Sequence, residues 1–415
     1  MKKLKLVDRL KNSITKKINK TKFRLLRGCY FGEYLEVDKK ISTLKPENNP
    51  DYVARNEIPL GDLAIKALAF YLPQFHPFSE NDEWWGIGFT EWTNVAKARP
   101  QFVGHYQPHL PADLGFYDLR VVDVMRQQAE IAKSYGIYGF CFYDYWFAGK
   151  KLMQTPIENF LNNKEIDINF CMCWANENWT RRWDGHDQEI LIAQEHSPED
   201  DIRYIESLYE AFNDPRYIKI DEKPLLLIYR PALLPNSIET MARWRGWAKQ
   251  KGFPGLYIVS IQSFDELTPN EVGSDACTEF PPNQGTKVKR ADMMILNSDY
   301  EGRIFDYNAM AKSYCCREEV DYIRFKGVMP SWDNDARKPG RGYSYVGSSP
   351  SSYAKWLGEA CKETMKNETG KRFLFINAWN EWAEGAHLEP CRKYGYAFLD
   401  KTRAVLKKYI VPKGE

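Results

Sequence analysis

Two carboxylates three residues apart, Glu381 and Glu384 in Glu381-Trp382-Ala383-Glu384-Gly385, are the pair in this chain best placed for acid–base work. On one helical turn such positions face the same side, with Cβ atoms roughly 5–6 Å apart. Retaining glycosidases hold their two carboxyls roughly 5–5.5 Å apart, one as nucleophile or base and the other as acid/base. Two acids can also sit in a first helical turn only because the helix dipole favours them there. The neighbours weigh toward chemistry, since Trp379, Asn380 and Trp382 flank the pair. Pyranose rings offer C–H faces that stack on indoles and hydroxyls that need amide or carboxylate partners. A sugar is therefore the expected ligand.

Such groups need elements that converge on one place. From residue 65 onward, short β-rich apolar runs recur at 65–71, 138–143, 170–174, 224–229, 256–261, 276–280, 325–332 and 373–379. Amphipathic helical patterns separate most of them, the clearest at 119–135, 200–212, 238–251 and 351–366. The gap between the fifth and sixth runs is too short for a confident helix. Strand–helix alternation implies a parallel sheet, and eight repeats predict an α/β fold of the closed (β/α)8, or TIM-barrel, type. A doubly wound sheet is the alternative, but no Gly-rich phosphate turn supports it.

In a barrel the chemistry sits at the C-terminal ends of the strands. The first run ends in Tyr71 and leads to Gln74, His76, Glu83, Trp84, Trp85, Glu91 and Trp92, and the second to Asp144, Tyr145 and Trp146. After the third come Trp174, Asn176, Glu177, Asn178, Trp179, Arg182, Trp183 and Asp184. Tyr229 and Arg230 close the fourth, Glu279 lies near the end of the sixth, and Trp332, Asp333, Asn334 and Asp335 end the seventh. The eighth delivers Trp379, Asn380, Glu381, Trp382, Glu384, His387 and Glu389. Ten of the thirteen Trp thus fall at one end, with only Trp244, Trp247 and Trp356 on helices, whereas core packing would spread them over both. Asp333-Asn334-Asp335 has the D-x-D spacing of a metal site for nucleotide sugars, yet a turn is the preferred reading. No His/Cys/Asp cluster has metal-ligand spacing, so no metal and no cofactor are expected.

Composition bounds the rest. With 58 Lys/Arg against 56 Asp/Glu the net charge is +2, which argues against a surface devoted to nucleic acid. A chain that is 43% hydrophobic can bury a substantial core. No apolar run approaches the roughly 18 residues of a spanning helix. The nine Cys match neither a disulfide framework nor a zinc site and read as reduced thiols of a cytoplasmic protein. Residues 1–27 hold 11 Lys/Arg and one acid, Asp8, so they carry +10 and leave −8 for the remainder. Leu6, Leu10, Ile14 and Ile18 recur at i+4 within this stretch, the stripe of a basic amphipathic helix suited to an anionic membrane surface or a partner. A solvated tail fits the same charge run. Residues 28–63, with Pro46, Pro50 and Pro59, read as a linker, and 64–412 as the barrel domain.

Five motifs carry a resemblance. Tyr71-Leu72-Pro73-Gln74-Phe75-His76-Pro77, Asn81-Asp82-Glu83-Trp84-Trp85-Gly86 and Gly88-Phe89-Thr90-Glu91-Trp92-Thr93-Asn94 resemble the WbsX-type glycosyltransferase family of bacterial surface-polysaccharide clusters. So do Gly104-His105-Tyr106-Gln107-Pro108 and the closing run from Asn377 to Gly385. The resemblance covers about residues 65–409. The family in turn looks like relatives of glycoside hydrolase family 99, (β/α)8 endo-α-mannosidases and mannanases. It implies that Glu381 is the base that deprotonates a sugar 2-hydroxyl, which attacks the anomeric carbon, and that Glu384 is general acid and then base. Ala383 departs from the His of those hydrolases, which puts mannose specificity and hydrolysis itself in doubt.

The expected function is a carbohydrate-active enzyme that makes or breaks glycosidic bonds in O-antigen or capsule biosynthesis. Its partners would be an oligosaccharide or lipid-linked glycan and an activated sugar donor. An intracellular endo-acting hydrolase of the mannosidase type and a non-catalytic glycan-binding barrel are the alternatives. The candidate sugar-binding residues are Tyr71, Gln74, His76, Trp84, Trp85, Glu91, Trp92, Asp144, Trp174, Asn176, Glu177, Asn178, Trp179, Tyr229, Trp332, Asp333, Trp379, Asn380 and Trp382.

Overall fold

The computed structural model describes residues 49–411 apart from 59, 182–185, 284 and 286–292, and only the backbone of 181 and 186–189. The basic segment 1–27 and the candidates Arg182, Trp183 and Asp184 lie outside the described residues. Eight parallel strands form the centre: β1 (Lys66–Tyr71), β2 (Ile137–Phe147), β3 (Asn169–Trp174), β4 (Lys223–Ile228), β5 (Tyr257–Gln262), β6 (Ala276–Glu279), β7 (Arg324–Val328) and β8 (Phe373–Ile376). Each pairs with its neighbours in chain order, and β8 returns to β1, so the sheet closes into a (β/α)8 barrel. All eight sequence-predicted strands are present within a few residues of their expected ends.

These strands read as almost unbroken apolar runs because both faces are covered, one by the barrel interior and one by helices. Phe70 of β1 shows the inner face, stacked on Tyr143 and packed near Phe280 and Phe375. Gly139 of β2 allows close strand approach, since a Cβ there would lie 2.7 Å from the Asn169 carbonyl oxygen.

The principal helices are α1 (Ser79–Trp85), α2 (Glu91–Lys97), α3 (Val122–Ser134), α4 (Gln154–Asn162), α5 (Pro198–Ser207), α6 (Ser237–Gln250), α7 (Tyr307–Cys315), α8 (Pro350–Thr364) and α9 (Ala397–Leu406). In α3 the buried positions Met125, Gln128, Ala129, Ile131 and Ala132 follow the 3–4 spacing of one face, with a polar Gln inside it. Between β5 and β6 only Pro269–Val272 is helical, which is why no amphipathic pattern is legible there.

The described part of 28–63 forms no helix and is tied along the barrel. Val53 pairs with the Tyr394–Tyr396 backbone, the Asn56 N–H donates to Tyr135 Oη at 2.8 Å, and Leu63 bridges Ile410. Among the described residues no helix is long and apolar enough to cross a membrane. The eight described cysteines are all free, six of them buried.

Candidate active site

Three loops at the C-terminal ends of β1, β7 and β8 bring four charged side chains together. Glu91 is the first residue of α2, whose N-cap Thr90 accepts from the Trp92 N–H at 3.2 Å, so the capped turn fixes where its carboxylate points. Arg337 follows a short 3-10 turn, Asn334–Ala336, capped by Asp333. Glu381 lies in a two-residue antiparallel pair with Ala386–His387, and Glu384 ends the 3-10 turn between them. That turn closes on Gly385 at φ 58°, where a Cβ would sit 3.0 Å from that of Asp333. Glycine is required there on both counts. The Asp333 N–H donates to the Glu384 carbonyl at 2.6 Å, and Ser331 Oγ to the Gly385 carbonyl, so the two loops are stitched together.

The sequence spacing of Glu381 and Glu384 puts both on one guanidinium. Arg337 Nη2 donates to Glu381 at 2.7 Å and Nη1 to Glu384 at 2.5 Å. Its Nε and Nη2 donate to Glu91 at 3.1 and 3.0 Å. Three carboxylates thus share one largely buried cation. Burial works against the Arg337 charge, but Glu91, Glu384 and Glu381 outweigh it and hold the guanidinium firmly charged. Burial, with repulsion from Glu384 and Glu91, pushes Glu381 up to about 8 despite the pull of Arg337. Near neutral pH most of this carboxyl therefore holds its proton, and it acts as a base only once that proton has left.

A second buried acid, Glu389, supports the turn. It accepts from Trp382 Nε1 and Gln128 Nε2 at 2.6 Å each, and from Tyr117 Oη at 2.9 Å. This explains the polar Gln128 on the apolar face of α3, which also accepts from Tyr71 Oη at 2.7 Å. Burial raises Glu389 to about 7 against those three donors.

Several expected ligand residues prove to be framework. Tyr71 points outward to α3 and packs on Phe140 and Phe142. Trp92, Trp174, Trp379 and Trp382 are at most 8% exposed. Trp92 bonds the Tyr117 carbonyl and packs on Phe75, Trp174 stacks on Tyr204, Trp379 packs against Phe140, and Trp382 stacks on His387. Asn380 exchanges hydrogen bonds with the Leu72 backbone, and Asn176 does the same with Arg230. Asp333 is committed to His105, Ser344 Oγ and the Asp335 N–H, and Asp335 to Gln101 and the Gly340 N–H. The D-x-D is a turn whose oxygens are occupied. His76 is buried against the Pro73 carbonyl, and burial lowers its pKa.

Other candidates keep an open face or an uncommitted atom. Trp84, Trp85, Tyr229 and Trp332 are half-buried. Trp84 lies 6.1 Å from the more buried Trp179, which meets Tyr145 edge-on at 5.2 Å. Gln74 Nε2 and Asp144 Oδ2 are buried with no hydrogen-bond partner, although Lys151 stands 3.7 Å from Asp144 Oδ1. Glu177 pairs with Arg230 at 2.8 Å, and the exposed Asn178 accepts from the Gln194 N–H. Sequence reasoning missed Arg337 and Tyr143, and reached Tyr145 without giving it a role; burial and then the charge of Glu381 raise both β2 phenols.

The acid cluster lies at the strand C-termini of a closed (β/α)8 barrel, the end at which barrel enzymes carry their active sites. The solved structures agree on the fold. A GH99 endo-alpha-mannosidase from Bacteroides thetaiotaomicron superimposes with a TM-score of 0.51 at 12% identity, over 83% of this chain and 97% of that one. A glycoside hydrolase-like protein does so with a TM-score of 0.53 at 15% identity, over 87% and 99%. The family model described as Glycosyltransferase WbsX matches residues 67–402, and the chain belongs to that family. Two proteins described as uncharacterized protein WxcX, from Xanthomonas campestris pv. campestris strains B100 and ATCC 33913, are 48% and 47% identical over 83% and 86% of this chain. The chain spans about half the length of these curated relatives, 50% and 52%. By family it is a carbohydrate-active protein.

Proposed function

We propose that the protein is an enzyme that makes or breaks glycosidic bonds during bacterial surface-polysaccharide assembly, with Glu381 and Glu384 as its acid–base pair. The observation that carries this reading is the meeting of both carboxylates, from one turn, on Arg337 beside Glu91. In the first step Glu381 takes the proton of a sugar 2-hydroxyl, whose oxygen attacks the anomeric carbon. Glu384 gives its proton to the departing oxygen as that bond breaks. In the second step an acceptor hydroxyl attacks the anomeric carbon and gives its proton to Glu384, while the bond from that carbon to the 2-oxygen breaks and the 2-oxygen recovers its proton from Glu381. A sugar acceptor makes this transfer; water makes it hydrolysis.

Gln74 Nε2 and the half-buried Trp84, Trp85 and Tyr229 are the proposed sugar contacts. The +10 charge of residues 1–27 supports a position at an anionic membrane face, on the cytoplasmic side where lipid-linked glycans are built. The fold likeness to the endo-alpha-mannosidase favours a second reading, an endo-acting hydrolase. Incubation of the purified protein with nucleotide sugars and oligosaccharides, with products read by mass spectrometry, separates the two. Transfer from an activated donor supports the first reading and release from oligosaccharide alone the second. No product from any donor or glycan, with a folded protein, would leave only a glycan-binding barrel.

A further inference from the structure

Behind the Glu381–Glu384 turn lies a cavity of about 110 Å³ that opens to solvent. None of Glu91, Arg337, Glu381 and Glu384 lines it. The turn itself is the partition, since Ser331 and His387 line the cavity while bonding to or stacking on Gly385 and Trp382. Its walls are not those of a packing defect, which would be apolar and dry. They carry three histidines, three serines, a lysine and several aromatic rings.

Two features point to a ligand. Lys393 has its ammonium 4.4 Å from the Tyr106 ring centre and 4.8 Å from that of Tyr394. Among the described residues no carboxylate lies within ion-pair distance of it, as the ion pairs within 4.0 Å show. The one acid in the lining, Asp333, is already paired with His105. Trp332, half-buried in the same lining, offers a flat face. The remaining groups do not oppose an anion: burial keeps His109 and His387, which share a 2.9 Å hydrogen bond, in their neutral forms near pH 7.

We propose that this cavity binds a pyranose carrying an anionic substituent, with Lys393 on the anion and Trp332 against the ring. The substituent is a phosphate or a carboxylate, and the probes tell them apart. Calorimetric titration of the full chain with glucose 1-phosphate, glucuronate, glucose and inorganic phosphate tests the site by binding alone, so it stands or falls separately from the catalytic reading.

At least one anionic sugar should bind about tenfold or more tighter than glucose and than inorganic phosphate, the worth of one charge-assisted contact. Lys393→Gln should erase that preference, Trp332→Ala should weaken the sugar several-fold, and Glu381→Gln should change neither. Equal binding of glucose and both anionic sugars would overturn the assignment of Lys393. Phosphate binding as well as its sugar ester would overturn recognition of the ring. Binding lost in Glu381→Gln but kept in Lys393→Gln would move the ligand to the acid cluster.

Discussion

Glu381 and Glu389 leave the same strand end, both are buried, and both are raised toward neutral pH, yet their surroundings differ in kind. Glu389 is served by three neutral donors that no other acid claims. Glu381 competes with Glu384 and Glu91 for one guanidinium. A carboxylate satisfied by neutral donors holds a framework in place, protonated or not. One that shares a single cation sits in an environment that changes whenever a proton or a ligand arrives. The first kind of site is built for rigidity and the second for proton transfer.

The comparison breaks most visibly at Arg337. Arg337→Gln strands three acids around an empty position, and loss of one partner of a buried ion pair typically costs about 3–5 kcal/mol. Denaturant unfolding at pH 8 should show a loss of that order, smaller at pH 5 where Glu381 is protonated. Arg337→Lys should recover part of it, because an ammonium supplies the charge but not the fork that reaches three carboxylates. Unchanged stability in Arg337→Gln would mean that the cluster is too wet to matter.

Next comes turnover of whichever glycosyl substrate mass spectrometry identifies. Glu381→Gln and Glu384→Gln should each lose at least about 10²-fold, since Glu→Gln keeps shape but removes proton transfer. Substrate affinity should change little. An activated leaving group should rescue the first step in Glu384→Gln and not in Glu381→Gln. Near-normal turnover in both would move the chemistry elsewhere.

Glu389→Gln sharpens the contrast from the other side. The amide keeps one acceptor oxygen but must turn its NH₂ toward donors already present, a cost of about 1–3 kcal/mol in stability. Turnover should stay within several-fold of the parent once the protein is folded. A loss as deep as that of Glu381→Gln would make Glu389 part of the chemistry.

Much of this arrangement was legible before any fold was known. Eight apolar runs at regular spacing admit few topologies, and the barrel sends every motif to one end. Direction was less legible. Tyr71 and Phe70 are adjacent, yet one faces Gln128 and the other the barrel interior, because strand side chains alternate. Likewise a run of Trp in loops marks a place but not an exposed face, and six of the nine described ones at this end are buried. Arg337 was missed because attention to sugar chemistry favours acids and aromatics. A charge count held the signal: several acids gather at one barrel end, buried acids need a cation, and Arg337 stands two residues beyond the Asp333-Asn334-Asp335 turn. Trp84, half-buried at the mouth, tests what remains of the platform. Trp84→Ala should weaken glycan binding by about 1 kcal/mol with little loss of stability; the reverse pattern would make it core.

The smallest expected effect concerns pH, and its sign follows from the two acids compared above. Glu381 and Glu389 stand near 8 and 7 in the folded chain against 4.5 for a free glutamate. Between these limits the folded protein holds protons that the unfolded chain has released. Stability therefore falls as pH rises through this window, because the native state binds more protons than the unfolded one. The stability these protons provide is complete below about pH 4.5 and is gone above about 8. Below about pH 4 the trend reverses, since the His105 pairing outweighs burial and holds Asp333 under its ordinary value of 3.8. Unfolding free energies measured between pH 5 and 8 should therefore decline by about 1 kcal/mol or more. Glu381→Gln should flatten the upper part of that slope and Glu389→Gln the lower part, because each amide removes one of the two titrations. A slope that persists unchanged in both variants would place the proton uptake on other groups and remove the electrostatic basis for treating Glu381 as a strong base.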